Sequence, residues 1–252
     1  IIHLVKHIDR QKFNITLLVL NASGELMNSI PHDISVVKFY HSRTLFSIFS
    51  VIKSIKRIKP NLVLSTLGHL NLIIALIKPI LSSKIKFIAR ESSIVSIRNK
   101  DERYPKLFNF LFKTVYNRFD MIICQSQFMK NDLVFNFKID SSKIDVINNP
   151  IDFQSIPNDI ARIKSNQLSL LSVGNLRPEK GYDRLLQALK KVTLDYQYKI
   201  VGGGNVAGLK ALIDKLSIEK RVVLCGSIRN PFPYYLEADC LLVGSYYEGF
   251  PN

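Results

Sequence analysis

The sequence predicts an α/β protein with two parallel-sheet domains, and three observations lead to this prediction. Short apolar runs typical of strands alternate with segments of helical periodicity along almost the whole chain. These runs are nearly continuous in Ile, Val and Leu, as expected for strands that are buried on both faces. The stretch FQSIPNDIARIKSNQ interrupts the alternation with proline, asparagine and serine. We therefore predict a domain linker at residues 153–166.

The first predicted domain covers residues 1–152. Its predicted strands are FNITLLVL (13–20), ISVVKFY (34–40), NLVLST (61–66), KIKFIA (84–89), MIICQS (121–126) and KIDVINN (143–149). Helical patterns cover residues 44–58, 70–81, 102–118 and 127–136. Helix-length connections between such strands indicate a parallel sheet covered on both faces. Residues 60–77 carry no charge, but a membrane span needs about 20 predominantly apolar residues. We interpret this stretch as a buried strand, a turn and a buried helix.

The second predicted domain covers residues 167–252 and repeats the same order of elements. Its predicted strands are LSLLSV, YKIVGGG, RVVLCG and CLLVG, and its predicted helices are GYDRLLQALKKV, VAGLKALIDKLSI and PFPYYLEA. This order indicates a second unit of Rossmann type, and the unit is incomplete. Because the sequence begins with Ile1 and stops one turn after Glu248, we expect it to be a piece of a longer protein. We expect these 252 residues alone not to sustain useful catalysis.

The formal net charge is +15, and most of the excess lies in the first 152 residues. Nucleic acid, an anionic membrane surface and a phosphate-bearing substrate are all possible partners of such a protein. A lysine-rich surface without a specific partner is an equally good interpretation. The three cysteines share no short spacing, so the sequence suggests neither a zinc site nor a disulfide framework. We therefore expect reduced thiols in a cytoplasmic protein.

Three loops follow predicted strands of the second domain, where open parallel sheets bind their ligands. SVGNLRPEKGYDRLL places Arg177 and Lys180 before a helix, and cations beside free helix N–H groups favour phosphate. IVGGGN permits close backbone approach, but it is not the glycine pattern of a dinucleotide site. SYYEGFPN places Glu248 where its carboxylate can accept hydrogen bonds from sugar hydroxyls. Each loop taken alone is also compatible with an ordinary solvated turn.

Together these loops resemble the donor half of the family 4 glycosyltransferases, which are retaining enzymes with the GT-B fold. The resemblance includes VGNLRPEKGYDRLLQAL, then IVGGG, then NPFPYYLEADCLLVGSYYEGFPN. Upstream, DMIICQSQFMKNDL and KIDVINNPID resemble the end of the acceptor domain of that family. The resemblance therefore covers nearly the whole chain. It implies a GT-B fold, with two Rossmann-like parallel-sheet domains facing a cleft and the second domain incomplete.

The resemblance also implies roles for individual residues. Lys180 matches the lysine that contacts the donor diphosphate, and Glu248 matches a glutamate that binds hydroxyls of the transferred sugar; these two are the catalytic candidates. The donor-binding candidates are Gly174, Asn175, Arg177, Ile228, Gly249, Phe250, Pro251 and Asn252, and the acceptor-side candidates are Arg90, Glu91 and His69. Asn175 departs from the family, which often has arginine there. A second glutamate of the family motif would lie beyond Asn252.

The implied activity is transfer of a sugar from a nucleotide diphosphate donor to a hydroxyl of a lipid-linked or polysaccharide acceptor. The resemblance implies a UDP-hexose or UDP-N-acetylhexosamine donor, retention of configuration, and neither a metal nor a cofactor beyond this co-substrate. The motifs most resemble those of bacterial enzymes that synthesise surface polysaccharides, such as lipopolysaccharide or capsule. A catalytically inactive remnant, a glycoside hydrolase and a basic nucleic-acid-binding protein are the alternatives. We expect no nucleic-acid partner, because no RNP-like, zinc or helix-turn-helix pattern is present.

Two basic segments predict peripheral attachment to the inner face of the plasma membrane. HSRTLFSIFSVIKSIKRIK places Leu45, Ile48, Ile52 and Ile55 on one helical face, with cations near its end. RYPKLFNFLFKTVYNRF interleaves aromatic residues and cations in a similar way. Each cation near an anionic membrane contributes about 1 kcal/mol. An amphipathic helix that faces the protein core explains either segment equally well.

Overall fold

The computed structural model of the protein describes residues 1–20, 25–39, 47–150 and 167–250. The chain forms two compact units: Ile1–Pro150 with Gly249–Asn252, and Ile151–Glu248. The linker predicted at residues 153–166 lies outside the described residues.

In the described part of the first unit the strands are all parallel. They are β1 (Thr16–Val19), β2 (Ser35–Lys38), β3 (Leu62–Thr66), β4 (Lys86–Arg90), β5 (Met121–Cys124) and β6 (Ile144–Val146). β1 pairs with β2, and the other four strands form a sheet of order β3-β4-β5-β6. Every ladder between these strands is parallel. The predicted parallel sheet is therefore confirmed, although each strand is shorter than its apolar run.

The helices described in the first unit lie in the connections between its strands, except α1, which precedes β1. They are α1 (Ile2–His7), α2 (Ile48–Ile58), α3 (Gly68–Ile77), α4 (Val95–Arg98), α5 (Pro105–Val115) and α6 (Gln127–Phe137). α6 begins at a capping serine, since Ser126 Oγ accepts a hydrogen bond from the Met129 N–H. Phe87, Phe112 and Phe119 are fully buried and form part of the core of this unit.

The uncharged stretch 60–77 forms a strand, a turn and a helix, as predicted. β3 supplies the strand, and α3 is buried along most of its length. The helix ends at Ile77, and a 3-10 turn at Lys78–Ile80 carries Pro79, which cannot donate a backbone hydrogen bond. Among the described residues, no helix is long and apolar enough to cross a bilayer.

α2 directs its apolar face into the protein. Ile55 is 2% exposed and Val51 is 4% exposed, whereas Ile48 and Ile52 are half-buried and Phe49 is 83% exposed. Burial of Ile55 fits an amphipathic helix that faces the core, and attachment of this helix to a membrane stays a prediction. Of the predicted lipid-facing residues, Leu45 lies outside the described residues.

In the second unit, the described strands form one parallel sheet of order β10-β7-β8-β9. They are β7 (Leu168–Val173), β8 (Tyr196–Val201), β9 (Val222–Gly226) and β10 (Cys240–Leu241), and the helices are α7 (Tyr182–Leu189), α8 (Val206–Leu216) and α9 (Phe232–Glu237). The predicted alternation of strands and helices is confirmed. β10 is shorter than the predicted strand CLLVG, and Leu241 and Val243 are 49% and 63% exposed.

Candidate active site

Glycines bring three loops of the second unit together at the carboxyl ends of its strands. A Cβ added to Gly202, after β8, would lie 1.8 Å from the carbonyl oxygen of Gly174, after β7. A Cβ added to Gly181, before α7, would lie 2.0 Å from the carbonyl oxygen of Gly244, after β10. Gly181 also has φ = 62°, a conformation that favours glycine. The glycines noted in the sequence are therefore required by contacts between backbones.

Lys180 and Glu248 meet at this edge of the sheet. The lysine Nζ donates a hydrogen bond to Glu248 Oε1 at 2.6 Å. Ser245 Oγ donates to the same oxygen, also at 2.6 Å. The two charged side chains are 31% and 26% exposed, so both remain accessible to a ligand. The structure thus joins the two residues that the sequence identified as catalytic candidates.

The loop after β10 is attached to the first turn of α7. The Tyr246 N–H donates to the Glu179 carbonyl at 2.9 Å, and the Tyr246 hydroxyl donates to Asp183 Oδ2 at 2.8 Å. The Arg184 guanidinium lies 4.6 Å from the centre of the Tyr246 ring, and its Nη2 donates to the Ser245 carbonyl at 2.8 Å. These contacts hold the segment that carries Glu248. Sequence reasoning missed them, although the paired tyrosines before Glu248 were a usable signal.

Tyr182 lies beneath the same loops. Its hydroxyl donates to the Gly174 carbonyl at 2.8 Å, which fixes the end of β7. Burial, together with the negative charge of Glu248, raises the pKa of Tyr182 to about 12. The hydroxyl therefore stays protonated and remains a donor to Gly174 through the neutral range of pH.

The other donor-side candidates are less closely grouped. Arg177 is directed to Glu179, with 3.7 Å between Nη1 and Oε1, and its side chain is 65% exposed. Arg177 is therefore paired with Glu179, whereas Lys180 is paired with Glu248. Asn175 is exposed, and Ile228, which follows β9, is 37% exposed. Ile228 is thus available to a ligand, as a residue beside a nucleotide base would be.

The end of the EGFPN motif is described only in part. Gly249 is grouped with the first unit, where its carbonyl accepts a hydrogen bond from Ser126 Oγ at 2.9 Å. Phe250 is half-buried. Pro251 and Asn252 lie outside the described residues, so the donor-side roles expected for the motif after Glu248 stay predictions.

The acceptor-side candidates of the first unit occupy different environments. Arg90 Nη2 donates to Asn149 Oδ1 at 2.5 Å, and burial lowers the pKa of its guanidinium. His69 Nε2 lies 3.2 Å from Glu102 Oε1, and the side chain is 52% exposed. Glu91 is fully buried, and Arg98 Nη1 donates to its Oε2 at 3.3 Å. Glu91 therefore acts within the fold, which corrects its assignment as a residue that meets an acceptor directly.

Among the residues that the structure describes, no group of three or more histidine, cysteine, aspartate or glutamate side chains is placed to hold a metal ion.

Parallel-sheet units with glycine-lined strand ends, and a lysine paired there with a glutamate, have the features expected of a glycosyltransferase of the GT-B class. Comparison with known families agrees. The model described as Glycosyltransferase Family 4 matches residues 1–155, and the model described as Glycosyl transferases group 1 matches residues 156–252. The chain belongs to glycosyltransferase family 4.

Curated relatives include enzymes of bacterial glycan synthesis. The chain is 30% identical, over 71% of its length, to N-acetylgalactosamine-N,N'-diacetylbacillosaminyl-diphospho-undecaprenol 4-alpha-N-acetylgalactosaminyltransferase of Campylobacter jejuni. It is 25% identical, over 97% of its length, to the amylovoran biosynthesis glycosyltransferase AmsD of Erwinia amylovora. It spans 50% of the first relative and 69% of the second. The chain therefore covers only part of either protein.

Solved structures show the same fold. The apo form of the lipopolysaccharide outer core galactosyltransferase WaaB matches with a TM-score of 0.68 and 17% identity, over 99% of this chain and 70% of that one. Anabaena Alr3699/HepE in complex with UDP and glucose matches with a TM-score of 0.74 and 17% identity, over 94% of this chain and 76% of that one. At these identities the likeness establishes the fold alone.

Proposed function

We propose that the protein transfers a hexose or an N-acetylhexosamine from a UDP-sugar to a hydroxyl of a lipid-linked or polysaccharide acceptor. The names of the relatives support this choice, since one acts on a diphospho-undecaprenol and the other in amylovoran biosynthesis. The Anabaena structure of the same fold holds UDP and glucose. This reaction would be one step in the assembly of a bacterial surface glycan.

The contact between Lys180 and Glu248 is the observation that carries the proposal. It places a cation and a carboxylate within 2.6 Å of each other at the strand ends of one sheet, where parallel sheets bind ligands. A nucleotide sugar presents complementary groups, namely a diphosphate and several hydroxyls. A glycoside hydrolase would instead need two carboxylates roughly 5–10 Å apart, and the pair here is a lysine with a glutamate.

In the proposed reaction Lys180 stabilises the negative charge that develops on the leaving diphosphate. A fixed cation favours the transition state over the ground state, because the charge on the departing oxygen grows as the bond breaks. Glu248 accepts hydrogen bonds from hydroxyls of the transferred sugar and so orients it. The acceptor oxygen bonds to the anomeric carbon on the face from which the diphosphate oxygen departs, and the leaving phosphate takes the hydroxyl proton. Attack on that same face retains configuration. No metal and no side-chain nucleophile take part in this scheme.

We also propose that α5 mediates attachment to an anionic membrane on its cytoplasmic side. Leu107 and Phe110 are 53% and 61% exposed on this helix, and Tyr104 before it is 55% exposed. Lys106 and Lys113 are exposed on the same helix. Exposed apolar side chains beside cations suit the surface of an anionic bilayer.

Nucleotide binding tests the proposed activity. UDP is expected to raise the melting temperature of the complete protein, and single-stranded DNA at equal concentration is not. Incubation with UDP-sugars and a lipid-linked acceptor should then release UDP and yield a glycosylated product. Stabilisation by DNA alone would favour a nucleic-acid-binding protein. UDP binding without release of UDP, across all donors and acceptors supplied, would favour an inactive remnant.

A further inference from the structure

A pocket of about 280 Å³ opens in the first unit, outside the pair formed by Lys180 and Glu248. Its polar lining comes from Gly68, His69, Ser92, Ser93 and Arg98, and leucines complete the wall. Gly68 begins α3 after β3, and the two serines follow β4. The pocket therefore lies at the carboxyl ends of neighbouring parallel strands, where such sheets bind ligands.

Arg98 packs directly on the backbone of Gly68. A Cβ at that glycine would lie 1.9 Å from Arg98 Nη1 and 2.4 Å from Cζ, so any side chain at position 68 would displace the guanidinium. Within the described ranges, no side chain caps the first turn of α3. A cation and the positive end of a helix dipole are thus side by side, and Glu91 supplies the nearby negative charge, with 3.3 Å between its Oε2 and Arg98 Nη1.

A buried network holds the guanidinium in this position. Glu91 is fully buried and accepts hydrogen bonds from Arg98 Nη1 at 3.3 Å, Asn71 Nδ2 at 2.8 Å and the Tyr116 hydroxyl. Arg98 Nη2 donates to Asn99 Oδ1 at 3.2 Å. Glu91 lies behind the arginine and does not line the pocket. It therefore positions Arg98 in the wall of the pocket.

The formally charged side chain in the pocket lining is the cation Arg98. In the described part of the chain, no acidic residue lines the pocket. Ser92 and Ser93 supply hydroxyl donors, and Arg98 supplies a planar donor group suited to paired oxygens. Glu102 lies beside the pocket as the partner of His69, at 3.2 Å. The lining thus offers an oxyanion one cation and two hydroxyl groups.

We propose that this pocket binds a phosphate or diphosphate group, with Arg98 as its cationic ligand and Ser92 and Ser93 as hydrogen-bond donors. The inference rests on the proposed function, because both the acceptor and the donor of that reaction carry phosphate. Their shared chemistry is a phosphate oxyanion. Arg98 would then select substrates by the presence of that group.

Calorimetric titration of inorganic pyrophosphate tests the pocket without relying on activity. All proteins carry Lys180→Ala, which weakens the site of the second unit. Pyrophosphate should bind this parent, and Arg98→Gln should weaken binding about tenfold or more, since hydrogen bonds to charged groups are strong. Ser92→Ala with Ser93→Ala should weaken it as well. Arg103→Gln, which removes an equal charge from the same unit, should leave the affinity unchanged.

A second variant guards against misfolding. Arg98→Gln leaves the buried Glu91 without its cation, which can be strongly destabilising. The double variant Glu91→Gln with Arg98→Gln removes both charges, and it should also lose pyrophosphate affinity while it unfolds cooperatively. Equal affinity in the parent and this folded double variant would overturn the proposal. Absence of pyrophosphate binding in the parent would overturn it too.

Two further titrations distinguish the source of the phosphate. If the acceptor supplies the phosphate, the affinity for geranyl diphosphate should depend on Arg98. If the donor supplies it, the affinity for UDP should depend on Arg98. Independence of Arg98 for both probes would contradict the pocket. Sugar transfer is measured separately in proteins that keep Lys180. Transfer that fails there while pyrophosphate binding persists would reject the proposed function alone. Transfer that survives while Arg98 has no effect on binding would reject the pocket alone.

Discussion

Lys180 and Glu248 are 68 residues apart in the sequence, yet the lysine Nζ lies 2.6 Å from Glu248 Oε1. Both side chains are partly exposed, so a ligand can reach either one and replace its partner. A bound diphosphate would compete with Glu248 for the lysine, and sugar hydroxyls would compete with Lys180 for the carboxylate. The pair therefore lies where the two ends of the donor are proposed to bind.

Replacing Lys180 should affect turnover far more than folding. In the complete protein, Lys180→Ala should lower the rate about 100-fold or more, because a fixed charge at the leaving group is lost. Its melting temperature should barely change, since partly exposed ion pairs contribute about 0–1 kcal/mol. Lys190→Ala, an exposed lysine at the end of α7, is the matched control. Unchanged turnover of Lys180→Ala at saturating donor would remove this residue from the site.

Gly181 should tolerate no side chain. Gly181→Ala should lower the free energy of unfolding by at least about 1–3 kcal/mol, the usual cost of a strained backbone conformation. The added Cβ would also meet the Gly244 carbonyl at 2.0 Å. Gly203→Ala is the control, because its Cβ would make only an ordinary contact with Ser227 at 3.4 Å. Urea denaturation of both variants is the measurement, and equal stabilities would disprove the close approach.

Tyr182 should make stability depend on alkaline pH. Its pKa is about 12 in the folded protein, against about 10 for a free tyrosine. The contribution of the protonated Tyr182 to the free energy of unfolding is thus fully present below about pH 10. It is lost as the pH rises towards 12. Tyr182→Phe should lose less stability over that interval, by up to about 1.4 kcal/mol for each pH unit.

The Tyr182→Phe variant has a second expected effect, independent of pH. It lacks the hydrogen bond to Gly174, so it should be less stable at neutral pH by about 1 kcal/mol. The exposed Tyr104→Phe variant is the control for both measurements. Parallel stability curves for Tyr182→Phe and the parent between pH 10 and 12 would show that the tyrosine does not titrate as described.

Vesicle co-sedimentation should show binding through α5. Lys106→Gln with Lys113→Gln should weaken binding to anionic vesicles roughly 30-fold, at about 1 kcal/mol for each cation. Leu107→Ser with Phe110→Ser should weaken it as well. Phe135→Ser on α6, where the phenylalanine is 68% exposed, should not. Equal binding of the parent to neutral and anionic vesicles at low salt would rule out this attachment.

Sequence patterns predicted the sheets because strand and helix periods alternate clearly in both units. The motif likewise identified Lys180 and Glu248, whose contact follows from the adjacency of strand ends in a parallel sheet. Burial was harder to predict. Glu91 follows a strand like any ligand-binding residue, and only the tertiary fold brings Asn71 and Tyr116 to its carboxylate.

The two basic helices illustrate the same limit. α2 and α5 both combine apolar residues with lysines, so their sequences favoured one interpretation for both. In the structure both helices bury one face and expose another: Ile55 of α2 and Phe112 of α5 pack in the core, whereas Phe49 of α2 and Phe110 of α5 are exposed. Which face of an amphipathic helix meets its neighbours depends on where the chain places that helix, and periodicity alone does not contain this information.

The attachment of Tyr246 to α7 has a consequence for how such enzymes can be recombined. Arg184 and Ser245 are 61 residues apart in the sequence, yet a hydrogen bond joins them. This contact holds the first turn of α7 and the loop after β10 together. A chimaera with its crossover between these segments would pair a foreign loop with a resident helix and lose the frame that holds Glu248. Exchanging residues 178–184 and 242–248 as a linked pair would carry that frame intact, so the two segments are expected to be inherited together.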